Sequence, residues 1–157
     1  VIRIGITGHR NLAPEVSDHV AGLVREHLEP HGHAMVGLSC LADGADSVFA
    51  EVVLEAGAPL EAVIPASGYR EALPVEHHTL YDRLLAQAVL VHELPHTASE
   101  PRAHMAAGRL LVERSDRILA VWDGLPARGP GGTADVVAYA RVLERPVTVL
   151  WPQGVRR

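Results

Sequence analysis

Asp116-Arg-Ile-Leu-Ala-Val-Trp-Asp-Gly-Leu-Pro-Ala-Arg-Gly-Pro-Gly-Gly-Thr-Ala-Asp135 passes from an apolar strand through a glycine-rich loop into a helix. That order makes one β-loop-α unit, and the composition of the loop gives it a second meaning. Gly129, Gly131 and Gly132 place no side chain between the backbone N–H groups and a ligand. Thr133 and the amides of the first turn of the following helix then form a seat for a phosphate or carboxylate.

Working outward, the same alternation recurs along the chain. Val1 to Thr7 reads as a strand that ends in the turn Gly8-His9-Arg10-Asn11. Pro14 suits a first helical turn, and Val16, Val20, Leu23, Val24 and Leu28 recur at helical spacing until Pro30-His31-Gly32 stops them. Ala34 to Ser39 is the second strand, and the run through Val48, Phe49, Val52 and Val53 is a helix closed by Gly57 and Pro59. Leu60 to Ile64, Val89 to Leu94, Arg117 to Trp122 and Val147 to Leu150 are the remaining strands. Helices are expected at about 76–88, 100–114 and 133–143.

The strands are continuously apolar and lack in–out alternation, which requires helices on both faces of the sheet. The expectation is an α/β fold, a three-layer Rossmann-like sandwich with a mostly parallel sheet of about six strands and right-handed crossovers. Ligands of such sheets bind beyond the carboxyl ends of the strands, where the strand order reverses. Gly8 to Arg10, Ser39 to Asp46, Pro65 to Arg70 and Asp123 to Thr133 all fall on that rim.

A length of 157 residues with 48% hydrophobic content suits one domain spanning 1–157. The formal charge of −5 provides no basic face for a polyanion, so nucleic acid is not the expected partner. Cys40 is the only cysteine, and neither an export leader nor a long apolar run is visible, so a cytoplasmic protein without a membrane partner is expected. Lys is absent, which removes Schiff-base chemistry and the lysine of a Walker-type phosphate loop.

Several residues on the rim carry candidate chemistry. Gly8, His9 and Arg10 end the first strand, where glycine permits close approach and the two basic side chains can hold a phosphate or sugar; a plain surface turn is the alternative. Asp43, Gly44 and Asp46 offer a carboxylate to ribose hydroxyls, or else Asp43 is a helix N-cap and Asp46 steadies the first turn through the helix dipole. Asp123 and Gly124 border the glycine loop, and Arg128 within it can clamp a phosphate bidentately or remain a solvated charge. Arg109 either sends its head to the rim or joins Glu113 and Arg114 in a solvated face. Tyr69 stacks on a base or anchors its loop, and Trp122 is assigned to the core. The ten histidines give no metal-ligand spacing, with His77 and His78 read as exposed, so neither metal nor cofactor is expected.

Joined to Gly5-Ile-Thr-Gly-His-Arg10 and Leu41-Ala-Asp-Gly-Ala-Asp46, the stretch from Asp116 to Ala140 resembles the SLOG superfamily along nearly the whole chain. That grouping includes the LOG phosphoribohydrolases (long called "lysine decarboxylases"), the Rossmann-like part of DNA-processing protein A, and small nucleotide-ligand-binding domains of an "ITGHR" type. Gly132 to Ala140 is also similar to the nucleoside 2-deoxyribosyltransferases. The resemblance implies a nucleotide or phosphosugar ligand and a homo-oligomer such as a dimer.

The LOG enzymes carry Pro-Gly-Gly-x-Gly-Thr-x-x-Glu, and here Val136 occupies the glutamate position. The same valine aligns with the transferase nucleophile. Asp135 stands one residue early, a rotation of about 100° on a helix, and Arg109 is two positions out of the family spacing. Two functions follow as expectations. One is binding of a nucleotide through the glycine loop; the other is hydrolysis of an N-glycosidic bond of a nucleoside monophosphate, with Asp135 or Asp123 as the catalytic carboxylate.

Overall fold

Short apolar strands and amphipathic helices alternate in the computed structural model, which describes residues 1–126 and 132–155. In chain order they are β1 (Ile2–Gly8), α1 (Pro14–Leu28), β2 (Met35–Ser39), α2 (Ala45–Glu55), β3 (Leu60–Ile64), α3 (Tyr69–Ala72), α4 (His78–Gln87), β4 (Leu90–Glu93), α5 (Pro101–Glu113), β5 (Arg117–Val121), α6 (Thr133–Val142) and β6 (Val147–Leu150). The strands form one six-stranded sheet in the order β4-β3-β2-β1-β5-β6. Every pairing is parallel, so the expectation of a mostly parallel sheet is met in full. Short α3 was not anticipated, and the helix expected from residue 76 begins as a 3₁₀ turn at Val75–His77 before α4.

Both faces of the sheet are covered, as the apolar strands demand. On one face Val20 and Val24 of α1, Phe49 and Val53 of α2 and Leu84 of α4 pack with Ile4 and Ile6 of β1. On the other, Leu111 of α5 and Val136 and Ala140 of α6 pack with Leu38, Val63 and Ile118. The strand order builds outward from β1 to β4, then returns to place β5 on the other side of β1. That reversal opens a crevice between the β1 and β5 loops at their carboxyl ends. None of the helices among the described residues is long and apolar enough to cross a membrane.

The turn from β2 into α2 depends on Gly44. Its φ of 90° is closed to other residues, and a Cβ there would lie 2.5 Å from the His9 carbonyl oxygen. Gly44, not Asp43, is the N-cap of α2, and no side chain caps the helix. The expected capping role of Asp43 is therefore corrected. Its carboxylate instead accepts the Asn11 amide at 3.0 Å and the Arg10 Nε at 2.9 Å, which ties the β2–α2 loop to the β1–α1 loop.

At the opposite end of the sheet Glu61 of β3 receives both guanidinium nitrogens of Arg3 from β1, at 3.0 and 2.9 Å, and lies 3.0 Å from His92 Nε2 of β4. Burial opposes ionisation of Glu61, and the hydrogen bonds from Arg3 and His92 more than offset it, so its carboxyl lies below its ordinary value of 4.5. A depressed carboxyl stabilises the fold above the unfolded-chain value, and this contribution is lost as pH falls through the folded value. Arg3 is 31% exposed, which screens the pair. Glu61→Gln is expected to cost about 1–2 kcal/mol at neutral pH. Urea unfolding at pH 7 and again below pH 4 checks it: the difference between variant and parent should shrink in acid.

Candidate functional site

A cavity of about 580 Å³ occupies the crevice at the carboxyl ends of β1, β2 and β5. Its size falls within the range of ordinary small-molecule pockets. One wall is the end of β1: Gly8, His9, Arg10 and Asn11. A Cβ on Gly8 would stand 2.5 Å from Ala45 Cβ, so glycine lets β1 pass against the start of α2. A second wall is built from Cys40, Ala42 and Asp46, where β2 gives way to α2. The α3 and α5 elements supply Tyr69 and His104, and the far side is closed by Trp122, Gly132, Thr133 and Ala134. Thr133 and Ala134 open α6, so the amino-terminal end of that helix stands in the cavity wall. Its N-cap, Gly132, has extended backbone and no side chain to cap the helix.

The polar groups of the cavity are held by specific partners. His9 is buried, and its Nε2 accepts the Asp123 amide at 3.1 Å and lies 3.2 Å from Asp123 Oδ1, while its ring meets Trp151 edge-on at 5.3 Å. Arg10 pairs with Asp43 at 2.7 Å. Asp46 is partly buried; its Oδ2 accepts the Ala42 amide at a long 3.4 Å. Burial, opposed by the Ala42 amide and the nearby Arg10, pushes its carboxyl up to about 7. His104 accepts or donates at 2.8 Å with Ser99 Oγ, and burial followed by the Arg10 charge holds its imidazole below the ordinary value. Burial also raises the Cys40 thiol and the Tyr69 phenol well above their usual values.

The structure gathers Gly8, His9, Arg10, Asp46, Tyr69, Gly132 and Thr133 around one cavity, out of the residues singled out by sequence. Arg128, Gly129 and Gly131 lie outside the described residues. Asp43 and Gly44 stand behind the wall, shaping the loop that carries Asp46. Gly124 is exposed, with φ 84°, beyond the lining. Arg109 does not reach the rim: it is exposed, and its guanidinium lies 5.5 Å from the Tyr139 ring on α6, because it points along the α5–α6 seam.

Neither candidate catalytic carboxylate lines the cavity. Asp123 turns inward to His9 and accepts the Leu125 amide at 3.0 Å. Asp135 lies off the lining, whereas its neighbour Val136 faces it and packs across Gly108 of α5, as the single-residue rotation predicts. Asp46 is thus the one carboxylate among the described lining residues.

Other assignments change. His77 is buried, with Nε2 donating to the Leu41 carbonyl at 2.9 Å, rather than exposed. Trp122 is only partly buried, its indole N–H reaching the Leu125 carbonyl at 2.7 Å, rather than in the core. The sequence reading did not single out Cys40 or His104. Cys40 directly follows the last residue of β2, and His104 sits in the first turn of α5 after β4, so the rim rule that found the other residues applies to both.

The model of the family described as DNA recombination-mediator protein A matches residues 2–156. No curated protein matches the sequence. Among solved structures, DNA processing protein A from Helicobacter pylori, described by its single-stranded DNA binding mode, aligns with a TM-score of 0.71 and 22% identity over 99% of this chain and 67% of that one. DNA processing protein A from Streptococcus pneumoniae gives 0.71 and 17% identity over 98% of this chain and 51% of that one. The molybdenum cofactor binding protein of Rippkaea orientalis gives 0.64 and 16% identity over 97% and 77%. This chain spans about two thirds and about half of the two DNA processing proteins. With a family match across almost its full length and the α/β Rossmann-like sheet described above, the chain belongs to the DNA recombination-mediator protein A family and so to the SLOG-type Rossmann-like proteins.

Proposed function

We propose that this domain binds a nucleotide or nucleotide-derived small molecule in the cavity beside β1. The anionic end lies against Gly132, Thr133 and the first turn of α6, and the heterocycle lies toward Cys40, Asp46 and Tyr69. The observation that carries this reading is the position of the α6 amino-terminal end in the wall of a nucleotide-sized cavity at the strand-order reversal. Backbone amides and the positive end of the helix dipole supply what a phosphate requires without a lysine.

Hydrolysis of a glycosidic bond draws less support. Val136 faces the cavity where the related enzymes place glutamate, and Asp123 is turned toward His9. Single-stranded nucleic acid is the second reading, against the expectation drawn from a charge of −5. It is favoured by the family and by the similarity to the Helicobacter pylori protein, whose description names single-stranded DNA. The cavity takes a single nucleotide unit, and Arg10, the cation in its described wall, is already paired with Asp43.

Salt dependence separates the two. Titration calorimetry with nucleoside monophosphates should show a dissociation constant that changes by no more than about threefold between about 50 and about 200 mM salt, since a monomer is subject to ionic screening but carries no condensed counterions to release. Binding that appears only with oligonucleotides, and steepens to the slope of several phosphates, would transfer the function to nucleic acid. Absence of binding by every phosphate compound, strand or monomer, sinks the proposal.

A further inference from the structure

We propose that Asp46 is the specificity-determining residue of this cavity and selects a heterocycle that presents N–H donors on one edge, a ring N–H beside an exocyclic amino group, as guanine does. The inference rests on the nucleotide-binding reading above and names its ligand class.

Asp46 stands in the cavity wall with its carboxylate incompletely served. Oδ2 accepts one long amide hydrogen bond, from Ala42, and Oδ1 has no hydrogen-bond partner among the described residues. The adjacent cation does not complete it, because the Arg10 guanidinium lies 2.7 Å from Asp43 and 2.9 Å from the same carboxylate through Nε. A partly buried carboxylate with no cation in hydrogen-bond contact is satisfied by donors from the ligand. A carboxylate has only acceptors, so two adjacent N–H groups match it where an adenine edge, one donor beside one acceptor, does not. A site built to accept such donors also discriminates strongly against a base that lacks them.

The surroundings make the choice pH-dependent in one direction. Arg10 and Asp43 face Asp46 from the β1 and β2 loops, Cys40 from the end of β2, Tyr69 from α3, and His104 lines the same cavity from α5. The thiol and phenol are held well above neutrality and the His104 imidazole below its ordinary value. Ligand N–H donors bind the ionised carboxylate, so they are favoured as Asp46 ionises. An adenine edge would instead need the protonated acid, and its affinity would fall as pH rises.

The test is titration calorimetry with guanosine, inosine and adenosine 5′-monophosphates, with the nucleoside guanosine and with ribose 5-phosphate, on the parent and on Asp46→Asn, between pH 6 and pH 8. Guanosine monophosphate is expected to bind on the order of tenfold tighter than inosine monophosphate, which lacks the exocyclic amino group, and its affinity to rise on the order of tenfold across that range. Asp46→Asn should flatten the rise and remove the preference, because the amide replaces an acceptor by a donor, while ribose 5-phosphate binding stays as it was. Equal or tighter binding of adenosine monophosphate, an affinity for guanosine monophosphate that falls with pH, or an Asp46→Asn variant that keeps the preference overturns the inference. If ribose 5-phosphate binds but the bases are not distinguished, Asp46 selectivity fails and the phosphate seat survives. If guanosine binds with the expected pH rise while ribose 5-phosphate does not, the phosphate seat fails and the selectivity holds. Failure of every nucleotide and of guanosine ends both.

Discussion

Gly44→Ala is expected to destabilise the protein by about 3 kcal/mol and to abolish ligand binding with it. The backbone there holds φ 90° and ψ −135°, a conformation that an L-residue enters only under strain. The added methyl would also meet the His9 carbonyl oxygen at 2.5 Å and Arg10 Cα at 2.8 Å, and neither can rotate away because both are main chain. Relief requires the β1 and β2 loops to separate, which pulls apart Arg10 and Asp43. Gly57 isolates the two causes. It has φ 73° and nothing within 4 Å of where its Cβ would be, so Gly57→Ala carries the strain alone, about 1 kcal/mol. Urea denaturation of both variants measures the difference. A Gly44→Ala variant no less stable than Gly57→Ala would mean that the loops are not in contact as described.

Asp46→Asn is expected to do the opposite and stabilise the ligand-free protein, by about 2 kcal/mol at pH 8. The folded-state carboxyl titrates at about 7 against an ordinary 3.8, chiefly because burial penalises its charge. Between those values the folded protein holds a proton that the unfolded chain has released, so stability falls as pH rises and stays low above about 7. The full gap corresponds to at most ~4 kcal/mol, and contact of the side chain with cavity water takes about half of it. An amide does not ionise and keeps an acceptor for the Ala42 amide. Thermal melts from pH 4 to pH 9 should show the variant and the parent alike in acid and diverging as pH rises. Parallel melting curves across the range would mean that Asp46 carries no buried charge. Gain in stability with loss of ligand preference is the usual signature of a residue retained for function.

The layers of this fold were legible because burial on both faces leaves its mark as continuous apolar strands, and the β3 run from Leu60 to Ile64 is buried at every position. The rim was legible for the same reason: once the strands were placed, their carboxyl ends followed. Side-chain direction was not. Asp43 and Asp46 are three residues apart in one turn, yet one ties two loops together and the other enters the cavity, because Gly44 reverses the chain between them. Arg109 stood open between the rim and a solvated face, and the docking of α6 decides for the exposed position over Tyr139. His77 resembled a surface histidine because its partner, the Leu41 carbonyl, is 36 residues away in sequence. The exchange at Val136 was readable in both senses, since one residue on a helix decides which side chain faces the cavity.

The placement of β5 beside β1 also governs how the chain meets the ribosome. Gly8 pairs with Val121, and in the strand order β1 lies between β2 and β5. During synthesis β1 can pair with β2 early, but its other edge waits until β5 has emerged, an interval of about 5–20 s at ordinary elongation rates. Throughout that interval a row of unsatisfied backbone groups from Ile4 to Gly8 is open to any strand that arrives first. The seam beneath the crevice of the finished protein thus stays open long after β1 and β2 can have paired in the nascent one, and there a chaperone or the wrong strand would find its opportunity.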